Sequence, residues 1–285
     1  MAQTNPGKPC IRHIANLAAL RDTPTAKKPW PLEKRIAAVA DAGFDGFTDQ
    51  ATSKHGRLAE KFGLKFVGSI ASSKPDELRG LLQQQKDAGA AHVSIRLGEH
   101  DTNAGDSVRM ALRAALEGDA LGLKVSVETH RGTCTETPEK LYTLADGYQR
   151  VTAKPLLLAW DFAQIAVAKN LPPSAVDRLL VRADLVQLAT HFRFRPFNQH
   201  HCQIPVTDGR GRASADFEAW LPFAKKCFQA WLGGNQLGRE FLAVSEVAAP
   251  STGYSLHQHP DSWTDTIKLR AALDKLWKSL PGVAK

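Results

Sequence analysis

Four stretches of this chain, DAGFDGF from Asp41, EKFGLKF from Glu60, KDAGAAHV from Lys86 and DALGLKVSV from Asp119, each set a glycine between an amphipathic run and a β-rich run. A glycine at that junction takes the left-handed conformation that closes a helix, and the chain then enters a strand directly. A helix–glycine–strand order that recurs in this way restricts the fold to parallel α/β.

Hydrophobic period extends the alternation from end to end. Strands are expected at Ile11–Leu17, Gly46–Thr48, Lys65–Ile70, His92–Leu97, Lys124–Glu128, Leu156–Phe162, Leu185–His191 and Glu240–Glu246. Helices are expected at Leu32–Ala42, Ser53–Phe62, Pro75–Ala88, Asp106–Leu121, Thr137–Tyr148, Ser174–Arg182, Ser214–Leu232 and Ser262–Ser279. Eight βα units in 285 residues without a linker predict a single (β/α)8 TIM barrel domain over residues 1–285, with a long loop after strand 7. An open doubly wound sheet would need a glycine-rich phosphate loop after its first strand, and IANLAALRDTP supplies none.

Composition removes several classes of function. The apolar runs fall far short of the ~18 residues a membrane span needs, so no membrane association is expected. The polar N-terminus Met1–Cys10 has no apolar signal region, which predicts a cytoplasmic location. Four dispersed cysteines (Cys10, Cys134, Cys202, Cys227) form no CxxC pair and read as reduced thiols. The net charge of +8 suits a polyanion, but the basic residues are scattered, so no nucleic-acid partner is expected. A homo-oligomer is left open.

In a barrel the reactive side chains sit at the C-terminal ends of strands. On the expected boundaries, strand five ends on Glu128 with His130 and Arg131 beyond it, and strand six on Asp161. Strand seven ends on His191 with Arg193 and Arg195 following, and strand eight on Glu246. Three carboxylates and an imidazole on consecutive strands make an oxygen-rich set that favours one divalent ion, Mn²⁺ first and Mg²⁺ or Co²⁺ next. The plain alternative is that an acid at a strand end caps a helix or pairs with a base; Asp161 in DFAQ has the form of an aspartate cap. His130, Arg131, Arg193 and Arg195 are candidate substrate contacts, each with a structural histidine or salt bridge as its alternative. Trp160, Phe192 and Phe194 beside the strand ends are candidates to stack on a substrate ring, with simple core packing as the alternative. Of His200 and His201 on the long loop, one at most faces the site, and His201 enters the substrate set.

The ordered set Glu128, Asp161, His191 and Glu246, together with ADAGFDGF and VSVETHRG, resembles the xylose isomerase-like sugar isomerase/epimerase superfamily of TIM barrels over nearly the whole chain. The C-terminal SEVAAPSTGYSLHQHPDSWTDTIKLRAALDKLW resembles a sugar isomerase-like subgroup of it. The resemblance implies that the four residues bind one divalent metal and that Glu128 and Glu246 also move protons. The family's usual histidine three residues after the aspartate is Gln164 here, placed at a substrate contact.

The expected activity is thus a divalent-metal-dependent sugar isomerase or epimerase, acting on a small sugar or sugar derivative by proton abstraction next to a carbonyl. The same enolate chemistry would serve a lyase or deglycosylase acting on 3-oxo-glycosides. An apurinic endonuclease-like DNA enzyme shares this barrel, but the first four strand ends offer only His13, Asp49, Ser69 and Gly98-Glu99-His100, too poor a set for three ions. A barrel that binds a ligand without catalysis is the remaining class.

Overall fold

Eight parallel strands close into a barrel in the computed structural model, which describes residues 7–234, 236–254 and 261–284. Residues 255–260 of the C-terminal motif lie outside the described residues. The strands are β1 Cys10–Asn16, β2 Gly46–Asp49, β3 Lys65–Ser72, β4 His92–Leu97, β5 Lys124–Glu128, β6 Leu158–Trp160, β7 His191–Phe194 and β8 Glu240–Ser245. Each pairs with its sequence neighbour, and β8 closes on β1 through the register Cys10 to Glu240. The helices are α1 Leu32–Asp41, α2 His55–Lys61, α3 Leu78–Asp87, α4 Ala104–Leu121, α5 Pro138–Thr152, α6 Phe162–Ala168, α7 Val176–Leu179, α8 Ala183–Leu188, α9 Ala215–Leu232 and α10 Ser262–Lys278. None described is long and apolar enough to cross a membrane.

The (β/α)8 expectation therefore holds, and its punctuation holds with it. Gly43, Gly63, Gly89 and Gly122 all have φ between 65° and 76°, the left-handed region that a helix end followed at once by a strand requires.

Strand alternation divides the residues between two environments. In HVSIRL and KVSVE, Val93, Ile95 and Val127 enter the main hydrophobic core between sheet and helices, with Val125 packed against it. His92, Ser94, Arg96, Lys124, Ser126 and Glu128 are left to face the lumen. Ile14, Val67 and Val244 form a separate small apolar cluster there. Its fit is tight at Gly46, where a Cβ would lie 2.4 Å from the Lys65 carbonyl oxygen and 2.8 Å from Ile14 Cδ1.

Two expected elements are corrected. Residues 185–191 do not form a strand: Ala183–Leu188 is helical, and the barrel strand begins at His191. So short an apolar run has no period that distinguishes helix from strand, and Leu185 and Val186 are buried as one face of the helix. The true strand is written in HFRFR. Phe192 stacks on Phe241 with ring centroids 4.7 Å apart, and Phe194 lies 5.2 Å from Phe228, so both point outward into the aromatic core. The other correction is that β6 stops at Trp160, because Asp161 turns the chain by accepting the Ala163 N–H and starts α6.

The N-terminal end of the lumen holds uncharged imidazoles. His92 and His191 meet edge to face at 5.0 Å, and His92 Nε2 is 2.9 Å from Ser126 Oγ. Burial pushes the His92 pKa down to about 3, with Lys124 adding to the shift. Below the unfolded value of about 6.5 the unfolded chain therefore binds a proton that the folded chain refuses, and stability falls with pH at up to about 1.4 kcal/mol per unit. Between pH 6 and pH 4 that slope should shrink in His92→Gln relative to wild type, as measured by urea unfolding at each pH; equal slopes would show that His92 is not buried in its neutral form.

Candidate active site

The C-terminal mouth of the barrel is a cavity of about 390 Å³ lined by residues of several strand ends, among them Asn16, Asp49, Arg96, Glu128, Arg193 and Glu246. Residues 191, 193 and 195 share one face of β7 and its extension, because side chains two apart point the same way. His191 therefore sits at the bottom of the lumen, while Arg193 and Arg195 rise from the same face toward the mouth.

The two arginines join the three carboxylates into one buried lattice. Arg193 Nε lies 3.0 Å from Glu128 Oε2 and Nη1 lies 2.9 Å from Glu246 Oε2. Arg195 Nε lies 3.1 Å from Asp161 Oδ2 and Nη2 lies 3.1 Å from Glu246 Oε1. All five residues are buried, Asp161 completely. Neutral donors fill other positions: Ser94 Oγ donates to Glu128 at 2.6 Å, Asn16 Nδ2 to Glu246 Oε1 at 2.5 Å and Gln164 Nε2 to Asp161 Oδ2 at 3.3 Å. Arg195 Nη1 also donates to Gln203 Oε1, which accepts the Ala248 N–H and so ties the long loop after β7 to the end of β8.

The charges act unequally on the acids. Burial pushes the Glu128 carboxyl up, but Arg193 and Arg96 together with the Ser94 hydrogen bond overcome it and hold Glu128 below the usual carboxylate range. Burial dominates at Asp161, whose pKa stays raised although Arg195 opposes it. Burial also lowers the pKa of His130, against the pull of Glu128. The neutral ring donates from Nδ1 to the Arg131 carbonyl at 2.6 Å, which leaves Nε2 to accept from Tyr254 Oη at 2.9 Å. The Tyr254 ring in turn carries the Arg131 guanidinium at 4.5 Å and that of Arg195 at 4.2 Å.

Of the residues expected at the site, Glu128, Asp161, Glu246, His130, Arg131, Arg193, Arg195 and Gln164 come together. His191 does not, because β7 begins at it rather than ends on it. His201 lies on the long loop, where its N–H and that of His200 bond to Asn198 Oδ1, and neither residue lines the cavity. Trp160, Phe192 and Phe194 belong to the outer core and do not face the mouth. Asn16, Arg96 and Tyr254 were not expected. Arg96 was legible as the last inward position of HVSIR, but Tyr254 reaches the mouth only through tertiary folding.

A divalent ion held by Glu128, Asp161, His191 and Glu246 does not fit these residues. The imidazole is at the other end of the lumen, and a guanidinium already stands against each carboxylate. Among the described residues no group of three or more His, Cys, Asp or Glu side chains is placed to hold a metal ion.

No protein-family model matches the chain, and no curated protein matches it in sequence. Solved structures match it in shape. D-allulose 3-epimerase from Methylomonas sp., solved with D-allulose, superposes with a TM-score of 0.60 at 14% identity, over 94% of this chain and 98% of that one. The fold is that of the xylose isomerase-like barrels. A D-tagatose 3-epimerase-like protein gives 0.61 at 13% identity, over 93% and 98% of the two chains. A sugar phosphate isomerase/epimerase from Parabacteroides distasonis gives 0.57 at 9%, over 96% and 97%.

The lattice makes a stability prediction. Arg195→Ala leaves Asp161 buried without its cation and should cost about 3–5 kcal/mol in urea unfolding. Adding Asp161→Asn to that variant should recover part of the loss, since the stranded charge goes with it. A loss under about 1 kcal/mol for Arg195→Ala would mean that the pair is solvated rather than buried.

Proposed function

We propose that this chain is a sugar isomerase or epimerase that moves a proton at the carbon next to a carbonyl of a small sugar or sugar derivative. The observation that carries this reading is the placement of Arg193 between two glutamates from β5 and β8, with its Nη2 buried and accepted by no protein group. The barrels that share the fold and are solved as sugar epimerases and isomerases support the class.

The chemistry follows from that geometry. A ketone oxygen of the substrate accepts the free N–H of Arg193, which polarises the carbonyl. Glu246 then takes the proton from the adjacent carbon, and its negative charge passes to the substrate oxygen as an enediolate. Arg193 touches both ends of that transfer, so the guanidinium keeps an anionic partner before and after it, which is the preorganised stabilisation an oxyanion needs. Glu128, ionised at rest, takes a proton from solvent as the enediolate forms and delivers it from its own side, and Glu246 releases to solvent the proton it took. Return to the same carbon on the opposite face inverts it, and return to the neighbouring carbon isomerises the sugar. Asp161, itself held by Gln164, holds Arg195, and His130 with Tyr254 walls the mouth.

Deuterium exchange tests the reading. D-fructose, D-tagatose, D-allulose and their phosphates are incubated with the enzyme in deuterated water, and the α-carbon proton is followed by NMR. Wild type should introduce deuterium into at least one of them, and Glu246→Gln should slow that exchange roughly 10²–10⁴-fold. No exchange in any of the panel, or full exchange in the glutamine variant, would overturn the assignment of Glu246 as the base.

A further inference from the structure

We infer that Arg193 is the resident cation of this mouth, built into the chain at the place where the resemblance calls for a chelated divalent ion. The inference rests on reading the mouth as the active site, and deepens that reading by naming what supplies the positive charge.

Charge is the first reason. Three carboxylates converge here, and Arg193 with Arg195 brings two permanent positive charges to them, as many as one divalent ion would bring. An added ion would therefore enter a cluster whose negative charge is already largely matched, with two guanidinia repelling it at contact distance.

The donor atoms give the second. Both oxygens of Glu246 are engaged, Oε1 by Asn16 and Arg195 and Oε2 by Arg193. Both oxygens of Asp161 are engaged as well, Oδ1 by the Ala163 N–H that starts α6 and Oδ2 by Arg195 and Gln164. Glu128 Oε2 carries Ser94 and Arg193. A metal ion would have to break these contacts and push the guanidinia off the carboxylates they touch.

Position gives the third. The inward face of β7 offers one residue to each layer of the lumen, and the layer of Glu128 and Glu246 falls to residue 193. An imidazole at that residue would project between the two glutamates, whereas the imidazole that the chain does have, His191, lies one layer below against His92. Residue 193 thus decides whether an imidazole or a guanidinium stands between the two glutamates. The exchange also changes the chemistry, since a guanidinium polarises an oxygen through a directed N–H and is not removed by a chelator.

Metal binding tests this directly, with the untagged full-length chain. Wild type is purified, dialysed against Mn²⁺, Co²⁺ or Mg²⁺, desalted and subjected to elemental analysis, with thermal unfolding recorded in each ion. The expected result is well below one ion per chain and no rise in melting temperature. Arg193→His, and Arg193→Gln as a second variant of similar reach, remove the cation from Glu128 and free Glu246 Oε2, leaving Arg195 on Oε1. At least one of them should retain close to one Mn²⁺ per chain and melt higher in its presence, because a ligand bound only to the folded state stabilises it. Wild type holding one ion per chain would overturn the inference. So would variants that fold but gain no affinity, since something other than Arg193 would then keep the ion out. Failure of the deuterium exchange would leave this result standing, and failure here would leave the exchange standing, so the two readings are separable.

Discussion

Two guanidinia among three buried carboxylates form the interaction on which the mouth of this barrel depends. Removing five ionised groups from water costs several kcal/mol for each, and that cost is offset only where every charge meets an opposite charge at hydrogen-bond distance. Arg193 and Arg195 meet that condition by each bridging two acids, and the neutral donors of Ser94, Asn16 and Gln164 take further lone pairs. A buried lattice of this kind is a weak source of net stability, because apolar side chains of the same volume would often do as well. What it provides is preorganisation, with the acids and the cation held in fixed relation before a substrate arrives.

The barrel makes that possible by grading its interior. At the N-terminal end, His92 and His191 lie uncharged beside Ser126 and Thr190, and a small cluster of Ile14, Val67 and Val244 closes off water. At the C-terminal end the same lumen carries charge in both signs and opens into the cavity. The outward residues of the same strands keep this gradient rigid. Phe192, Phe194 and Phe241 are locked into the aromatic core, so the arginines between and after the two phenylalanines of β7 have only the lumen to enter. The long loop after β7 is held as firmly: the Asp265 carboxylate on α10 accepts the N–H groups of Val206 and Thr207, and Gln203 links Arg195 to Ala248.

Much of this was legible in the residues. The recurrent glycines placed the helix ends, the alternation of KVSVE put Glu128 in the lumen at the end of its strand, and the bare chemistry of an acid at a strand end already included a helix cap and an ion pair among its meanings. Asp161 turned out to be both, capping α6 and pairing with Arg195. One of the two corrected boundaries moved a residue out of the site. Reading residues 185–191 as the seventh strand raised His191 to the rim, while the period of HFRFR, two phenylalanines out and three polar side chains in, located it at the base.

The sequence by itself determined the class of fold, the number of βα units and the acids of the mouth, because these rest on local matters: which residues end helices, which alternate, and which ionise. Tertiary structure alone decided what the acids do to one another. A carboxylate is equally ready to hold a metal ion or a guanidinium, and the choice follows from which residue of β7 reaches its layer. That layer was set by how Phe192 and Phe194 pack against Phe241 and Phe228 from elements distant in the chain. The fold of the segment after β8 places Tyr254 over Arg195, a contact no spacing along the chain would have disclosed.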